Sequence, residues 1–393
     1  MTRPRVVHVT TTDISLEWLL GNQLEAFAAA GYEVIGVSAP GPFVGALERR
    51  GIRHVPLEHA TRSLAPVEDA RALGELTRVF HRLQPAIVHT HNPKPGLYGR
   101  VAARLARVPV VVNTVHGLYA QAHDRLARRA MIYGMERVAG LCSNAELVQN
   151  PEDVSTLRSI GVPARKLTLL GNGVDLTRFD PARISAAEAQ AARAELGATA
   201  PDNVVVGLVG RLVREKGYAE VFAAASRLRD HVPTLRFAIV GDDDDAKEDA
   251  LDAGDRERAA AAGVRFLGGR DDVDRLYAGM DIFVLASHRE GFPRAAMEAA
   301  AMGRPVIATN IRGCRQVVDH GTTGLLVPAR DAPALATAIS SLAADPERRR
   351  ALGAAGWAKA RREFDERRCI AITLDTYRRL LGRRALPVPA LPS

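Results

Sequence analysis

Short apolar runs rich in Val, Ile and Leu alternate with longer helical stretches along almost the whole chain, and this alternation limits the fold more than any other feature. In the first half the runs are Arg5–Val9, Val34–Val37, Ala86–Thr90, Pro109–Val115, Gly140–Ser143 and Leu167–Leu170. In the second they are Val204–Gly210, Leu235–Val240, Val264–Leu267, Asp281–Ala286, Pro305–Thr309 and Gly324–Val327. Continuous rather than alternating apolarity marks strands covered on both faces, the condition of a parallel sheet. The segments between them, such as Leu16–Ala30, Val67–Leu83 and Tyr218–Arg229, are long enough for crossover helices. The pattern predicts doubly wound α/β structure, and two sets of about six strands predict two domains. A chain of 393 residues is too long for one core and about right for two.

The seam is expected near residues 176–203, where Pro181 and Pro201 flank an Ala-rich run. Ser185 and Glu188 have capping-box spacing there, so a linker helix is expected rather than a loose tether. The expected domains are then residues 1–175 and 176–363. A basic helix, Phe364–Arg384, is expected to pack back toward the N-terminal domain, with the Pro-containing tail Leu386–Ser393 fraying.

No stretch approaches the ~18 apolar residues that cross a bilayer, and the chain passes from Met1 into strand-like sequence with no signal-peptide core. A cytoplasmic protein is expected. Cys142, Cys314 and Cys369 lie too far apart for a disulfide framework or a cysteine metal cluster. The net charge of +8 comes mostly from the first half, with 20 Lys+Arg against 15 Asp+Glu in residues 1–175. The excess concentrates between Lys94 and Arg137 with few aromatics to stack on bases, so no nucleic-acid partner is expected. Anionic lipid or a phosphorylated acceptor fits such a patch, as does a merely solvated Arg-rich surface.

Ligands of doubly wound sheets bind beyond the carboxyl ends of the strands, so residues just after strands carry the chemistry. After Asp281–Ala286 come Glu290, Gly291, Phe292 and Pro293, then Glu298 inside the next helix. Pro293 suits a helix start whose free amides favour an anion, while Glu290 and Glu298 suit sugar and ribose hydroxyls. The competing reading is a dipole-complementing turn followed by a solvated side chain. After Val204–Gly210, Arg211 and Lys216 suit a diphosphate, or else an ordinary charged loop. In the first half, His89, His91, Asn92 and Lys94 follow one strand and His116 another. Without a carboxylate or Cys nearby, the two spaced histidines favour hydrogen bonding or inward packing over a metal. His116 suits a sugar hydroxyl or proton movement, or a satisfied core position. The run Asp242–Asp245 lacks EF-hand spacing and reads as helix-start complementation.

Taken in order, these elements resemble the retaining glycosyltransferases of family 4. Glu290 and Glu298 match that family's E-x7-E motif. The likeness extends through Gly210-Arg211, Lys216-Gly217, Asn172-Gly173-Val174-Asp175, His116-Gly117, Gly303–Thr309 and Gly321–Pro328. It implies the GT-B fold, two facing Rossmann-like domains with a cleft between them. It also implies that Arg211 and Lys216 bind the nucleotide diphosphate, Glu290 the donor hexose, Glu298 the ribose, and His116 the donor sugar near its reacting face. Gly210, Gly291 and Phe292 would complete the donor site, and Gly268-Gly269-Arg270 would flank the base. Thr10–Ser15 stands where the family carries a glycine-rich turn.

The run Arg312-Gly313-Cys314-Arg315, Arg294 and the His89–Lys94 segment look most like bacterial polysaccharide-assembly members, which extend a polyprenyl-diphosphate-linked saccharide from a UDP-sugar. His89, His91, Asn92 and Lys94 would then face the acceptor. The resemblance implies retention, with the nucleotide sugar a substrate. With Arg211 and Lys216 meeting the diphosphate charge and no carboxylate pair to hold a metal, no metal or other cofactor is expected. The basic Lys94–Arg137 region suggests an anionic membrane surface as a further partner, on the inner face of the cell membrane. A soluble small-molecule acceptor and a non-catalytic sugar-nucleotide binder are the alternatives. A dinucleotide oxidoreductase lacks its G-x-G-x-x-G after Val9 or Val209, and a same-fold 2-epimerase relies on other catalytic acids.

Overall fold

The computed structural model describes residues 3–61, 65–91, 93–120, 124–244, 247 and 249–389. The chain divides into two compact units, residues 1–171 with 368–393, and residues 172–367. The division falls between Gly171 and Asn172, ahead of the expected seam. The helix Ala186–Glu195, with the capping box of Ser185 and Glu188 formed, lies wholly within the second unit.

Among the described residues, the first unit holds seven parallel strands: β1 (Arg5–Thr12), β2 (Glu33–Ala39), β3 (Arg53–Pro56), β4 (Ile87–Thr90), β5 (Val110–Val115), β6 (Ala145–Val148) and β7 (Leu167–Leu169). Their order is β3-β2-β1-β4-β5-β6-β7, so the sheet reverses its winding between β1 and β4. Those two strands pair with His8 opposite His89. Alternate residues feed two cores: Val6, Ile87 and Val110 on one face, Val7, Val88 and Val111 on the other. Buried on both faces, such strands read as continuous apolar runs. From the helix Glu366–Gly382, Tyr377, Leu380 and Leu381 complete the first of these cores. Leu386 packs against it too, so the tail is laid down at least that far.

The second unit repeats the scheme with β8 (Val204–Val209), β9 (Leu235–Val240), β10 (Val264–Phe266), β11 (Ile282–Leu285), β12 (Val306–Thr309) and β13 (Gly324–Val327), ordered β10-β9-β8-β11-β12-β13. Its switch point lies between β8 and β11, which pair in parallel with Ile282 opposite Val206. Both units are Rossmann-like, as the GT-B expectation requires of its two halves.

Two differences from the sequence reading have local causes. Gly140–Ser143 is not a strand: the helix Leu126–Cys142 runs through Gly140, and the strand follows at Ala145. Arg53–Pro56 is an unforeseen edge strand, where a proline is tolerated. Among the described residues, no helix is long and apolar enough to cross a membrane, and the three cysteines are unpaired.

The basic excess is partly internal. Arg100 is 1% exposed, with its guanidinium on Glu146 at 2.7 Å and Glu136 at 3.1 Å. It therefore contributes nothing to a surface patch.

Candidate active site

The loop leaving β8 is anchored by Leu212 and Val213, both buried, which leaves Arg211 and Lys216 on its rim. The Tyr218 hydroxyl, at the start of the helix Tyr218–Leu228, donates to the Gly210 carbonyl at 2.9 Å and draws the two ends of the loop together. Between them Gly217 takes φ +74°, and a Cβ there would lie 2.0 Å from the Ala286 carbonyl oxygen at the end of β11. Only glycine permits that approach. The amide of His288 donates to the Glu215 carbonyl at 2.8 Å and stitches the two loops along their backbones.

The consequence is a cation and a carboxylate held together at the switch point. Lys216 Nζ lies 2.6 Å from Glu290 Oε1, which also accepts from Ser287 Oγ at 2.8 Å. Their side chains are 22% and 12% exposed, so the pair is partly desolvated yet reachable. Arg211 stands nearby in the chain but answers Asp244, at 2.5 Å, with half of its side chain exposed. The acidic run thus pairs with arginines, Asp244 with Arg211 and Asp243 with Arg256, and the next helix begins only at Ala253. The helix-start reading of Asp242–Asp244 is therefore wrong, and Asp245 lies outside the described residues.

Gly291 and Phe292 lead into the helix Arg294–Ala301, with Pro293 extended as its N-cap. The Phe292 carbonyl accepts from Asn172 Nδ2 at 3.0 Å, and its ring meets Phe364 edge-on. Gly313 presses against this segment: a Cβ there would lie 2.6 Å from the Glu290 carbonyl. Glu298 is not a solvated side chain. It is 13% exposed, accepts from the Tyr277 hydroxyl at 3.0 Å, and is pushed above the usual carboxylate range by burial, with Arg294 opposing that shift. Arg270 is clamped by Asp272 at 2.8 Å and Glu195 at 3.1 Å. Hydrogen bonds, first from Arg270, hold the Asp272 carboxyl at about 2.

In the first unit His116 follows β5, its Nε2 3.1 Å from His91 Nδ1. His89 and His91 do not face an acceptor. They are 2% and 1% exposed, because the carboxyl end of central strand β4 is covered on both sides. Lys94 is drawn onto the helix Pro66–Leu83 by Asp69 at 2.5 Å and also bonds Thr61 at 2.7 Å. Asn92 lies outside the described residues. Sequence reasoning missed Ser287 and Tyr277, which support the second-unit site, and His8 and Tyr377, which join the histidines; it noted Asp244 only as part of a helix start and not as the partner of Arg211. His8 alone carried a signal, as a histidine inside an otherwise apolar strand.

Two family profiles match the chain in succession, "Glycosyltransferase Family 4" over residues 16–178 and "Glycosyl transferases group 1" over residues 203–345. The UDP-Gal:alpha-D-GlcNAc-diphosphoundecaprenol alpha-1,3-galactosyltransferase of Escherichia coli is 30% identical over 285 residues, 71% of each chain. The chain belongs to glycosyltransferase family 4. This glycosyltransferase is also 26% identical to the capsular polysaccharide biosynthesis glycosyltransferase CapM of Staphylococcus aureus, over 93% of its own length and 94% of CapM. The D-inositol 3-phosphate glycosyltransferase of Rhodococcus jostii is 32% identical over 335 residues, 81% of this chain and 71% of that one. Among solved structures, the sucrose-phosphate synthase of Thermosynechococcus elongatus superposes with a TM-score of 0.80 at 25% identity, covering 97% of this glycosyltransferase and 100% of that chain.

Proposed function

We propose that this glycosyltransferase moves a hexose or N-acetylhexosamine from a UDP-sugar to a polyprenyl-diphosphate-linked saccharide, with retention and without a metal ion. The observation that carries the reading is the Lys216–Glu290 pair at the switch point of the second sheet. An ammonium group there suits a diphosphate, and a carboxylate beside it suits the hydroxyls of the sugar attached to that diphosphate. The names of the Escherichia coli and Staphylococcus aureus relatives favour polysaccharide assembly and a UDP donor.

Transfer breaks the bond from the anomeric carbon to the phosphate oxygen, so negative charge grows on the leaving diphosphate as the sugar becomes cationic. Lys216, the Arg211 guanidinium and the amides leading into Arg294–Ala301 meet that charge in fixed positions. Glu290 holds the donor sugar and Glu298 the ribose, with Tyr277 orienting Glu298. Arg270, already clamped, flanks the base. The acceptor hydroxyl attacks the face that the diphosphate leaves and gives its proton to the departing phosphate oxygen. The charge that a metal would neutralise falls to Arg211 and Lys216. His116 is assigned to the donor sugar by the family resemblance alone.

Peripheral attachment to the inner face of an anionic membrane belongs to the same reading. Along the helix Leu126–Cys142, Leu126, Met131, Val138 and Leu141 are 76%, 51%, 56% and 60% exposed. At about 100° per residue they share one face. An apolar outward face with exposed Arg137 within its arc and Arg128 beside it suits the headgroup boundary of a bilayer.

A second reading, transfer to a soluble phosphorylated acceptor, is favoured by the Rhodococcus jostii relative. Incubating the purified protein with UDP-, GDP- and ADP-sugars, each with a polyprenyl-diphosphate saccharide or inositol 3-phosphate, separates the two. Nucleotide release from a UDP-sugar only with the lipid-linked acceptor, giving a product of unchanged anomeric configuration, is the expected result. Release only with inositol 3-phosphate selects the second reading.

A further inference from the structure

A cavity of about 470 Å³ lies wholly within the second unit, at the opposite end of its sheet from the candidate active site. Asp281 and Pro305, which line it, immediately precede β11 and β12, whereas Ser287 and Glu290 follow β11. The four residues of β11, at ~3.3 Å each, put roughly 13 Å between the two ends. The cavity forms where the helix Pro346–Glu363 lies against the turn Gly303-Arg304-Pro305. Gly353 permits that approach, since a Cβ there would lie 2.2 Å from the Gly303 carbonyl oxygen.

Arg304, Arg349 and Arg350 line this cavity without a carboxylate to answer them. Arg304 donates to the Met302 carbonyl at 2.9 Å and the Met280 carbonyl at 2.8 Å. Arg349 donates to the Leu342 and Ala343 carbonyls at 2.5 and 2.7 Å. Both therefore cap helix carboxyl ends, which carry only about half a negative charge each. Among the described residues, neither these two nor Arg350 has a carboxylate within ion-pair distance. Asp281, on the cavity wall, is taken by Arg193 at 2.7 Å and by the Val205 amide at 2.8 Å. Burial pushes the Arg304 guanidinium below its usual range, with Asp281 opposing that shift. A partly buried cation thus faces the cavity with no counter-charge in contact.

The helix Pro346–Glu363 also breaks the ordinary rule for a helix start. Acids suit that positive end and cations do not, yet Arg348, Arg349 and Arg350 stand there in succession. Such departures from local preference gather at functional sites. Two turns beyond Arg350, on the same face of the helix, Trp357 also lines the cavity. Its side chain is 39% exposed, and the Arg361 guanidinium lies over its ring at 5.2 Å, itself fixed by Asp180 at 2.7 Å. With Pro181 and Pro305, the indole supplies a flat apolar surface beside the arginines.

We propose that this cavity is a second ligand site, which takes a nucleoside monophosphate as an effector. Arg304, Arg349 and Arg350 meet the phosphate, whose oxygens match the guanidinium fork, and Trp357 stacks the base. A phosphate alone would leave the indole unused, and a nucleoside alone the arginines. A sheet's length from Lys216 and Glu290, the ligand takes no part in transfer. Its route to the active site is the helix Arg294–Ala301, which Met302 closes at the cavity and into which Gly291 and Phe292 lead at the other end. A phosphate drawing on Arg304 competes with the hold of that guanidinium on the Met302 carbonyl. Binding is a property of the second unit alone, while the effect on turnover rests on the glycosyl-transfer reading.

Trp18 and Trp357 are the two tryptophans of the chain, so Trp18→Phe leaves Trp357 as the single fluorescent reporter. UMP, AMP, uridine and inorganic phosphate are titrated against the full chain carrying Trp18→Phe and Lys216→Ala, the latter weakening the donor site. Arg350→Ala, at an exposed position, is the cavity variant. Saturable quenching by a nucleotide is expected, with Kd raised about tenfold by Arg350→Ala. Turnover at saturating donor should shift by about fivefold when the nucleotide is added to the parent protein, and not in Arg350→Ala. No quenching by either nucleotide, or a Kd indifferent to Arg350→Ala, overturns the site. Quenching by uridine or inorganic phosphate equal to that by the nucleotide overturns the ligand assignment. Binding with unchanged turnover overturns the effector role. If the parent protein transfers no sugar at all, the transfer reading fails, and the fluorescence still decides the site.

Discussion

Lys216 Nζ and Glu290 Oε1 stand 2.6 Å apart although 74 positions separate them in the chain, because Gly217 lets the loop after β8 press against the end of β11. Gly217→Ala must place a methyl group at 2.0 Å from the Ala286 oxygen on a backbone of φ +74°. The expected cost is roughly 1–3 kcal/mol of stability, with a raised donor KM as the two loops separate. Urea unfolding and donor saturation curves check this; a Gly217→Ala protein equal to the parent in both contradicts it.

Acid should loosen the first unit. His8, His89 and His91 have depressed affinities for protons when folded, chiefly through burial. Their contribution to stability is present above the ordinary value of 6.5 and is lost as pH falls from there toward the folded value, about 3 for His8. Below that upper limit the unfolded chain binds more protons, at about 1.4 kcal/mol per pH unit for each imidazole. Hydrogen exchange at the β1 and β4 amides should therefore show protection falling steeply from neutral pH downward. Protection independent of pH across that window would be inconsistent with neutral, buried rings.

Arg100→Met tests the internal ion pair. Arg100 and Glu146 are each 2% exposed in their side chains, so removing the guanidinium leaves a carboxylate buried without its cation. The expected loss is about 3–5 kcal/mol, and adding Glu146→Gln should restore part of it, since Asn113 and Ser143 still bond that side chain. Denaturant unfolding of the single and double variants measures both. A neutral single variant would contradict the burial of this pair.

Changing Leu126, Met131, Val138 and Leu141 together to Ser should weaken cosedimentation with anionic vesicles by about tenfold or more. These residues are exposed, so stability should hardly change. Failure of the unaltered protein to bind such vesicles at low salt would remove the membrane part of the reading.

Much of the fold is legible because both sheets are buried on both faces. Leu235–Val240 and Gly324–Val327 are apolar runs whose limits coincide with strands. Gly140–Ser143 misleads because the buried end of a helix is as apolar as a strand. At the candidate site, Lys216, Arg211, Glu290 and Glu298 are visible from their positions after strands, whereas their local partners are not. Asp244 answers Arg211 only once two loops have met. In sequence His89 and His91 are open to either an acceptor-facing or an inward-packed reading, since spacing does not reveal that Tyr377, 288 residues beyond His89, fills the space beside them. Arg100 looks like surface charge for the same reason, its partner Glu146 lying 46 residues away.

The central claim is that Lys216 meets the charge of a departing nucleotide diphosphate, and UDP release by Lys216→Ala in the presence of acceptor tests it most directly. A fall in turnover of about 10²–10³-fold, with the unfolding transition preserved, is the predicted result. Turnover equal to that of the unaltered protein would contradict it.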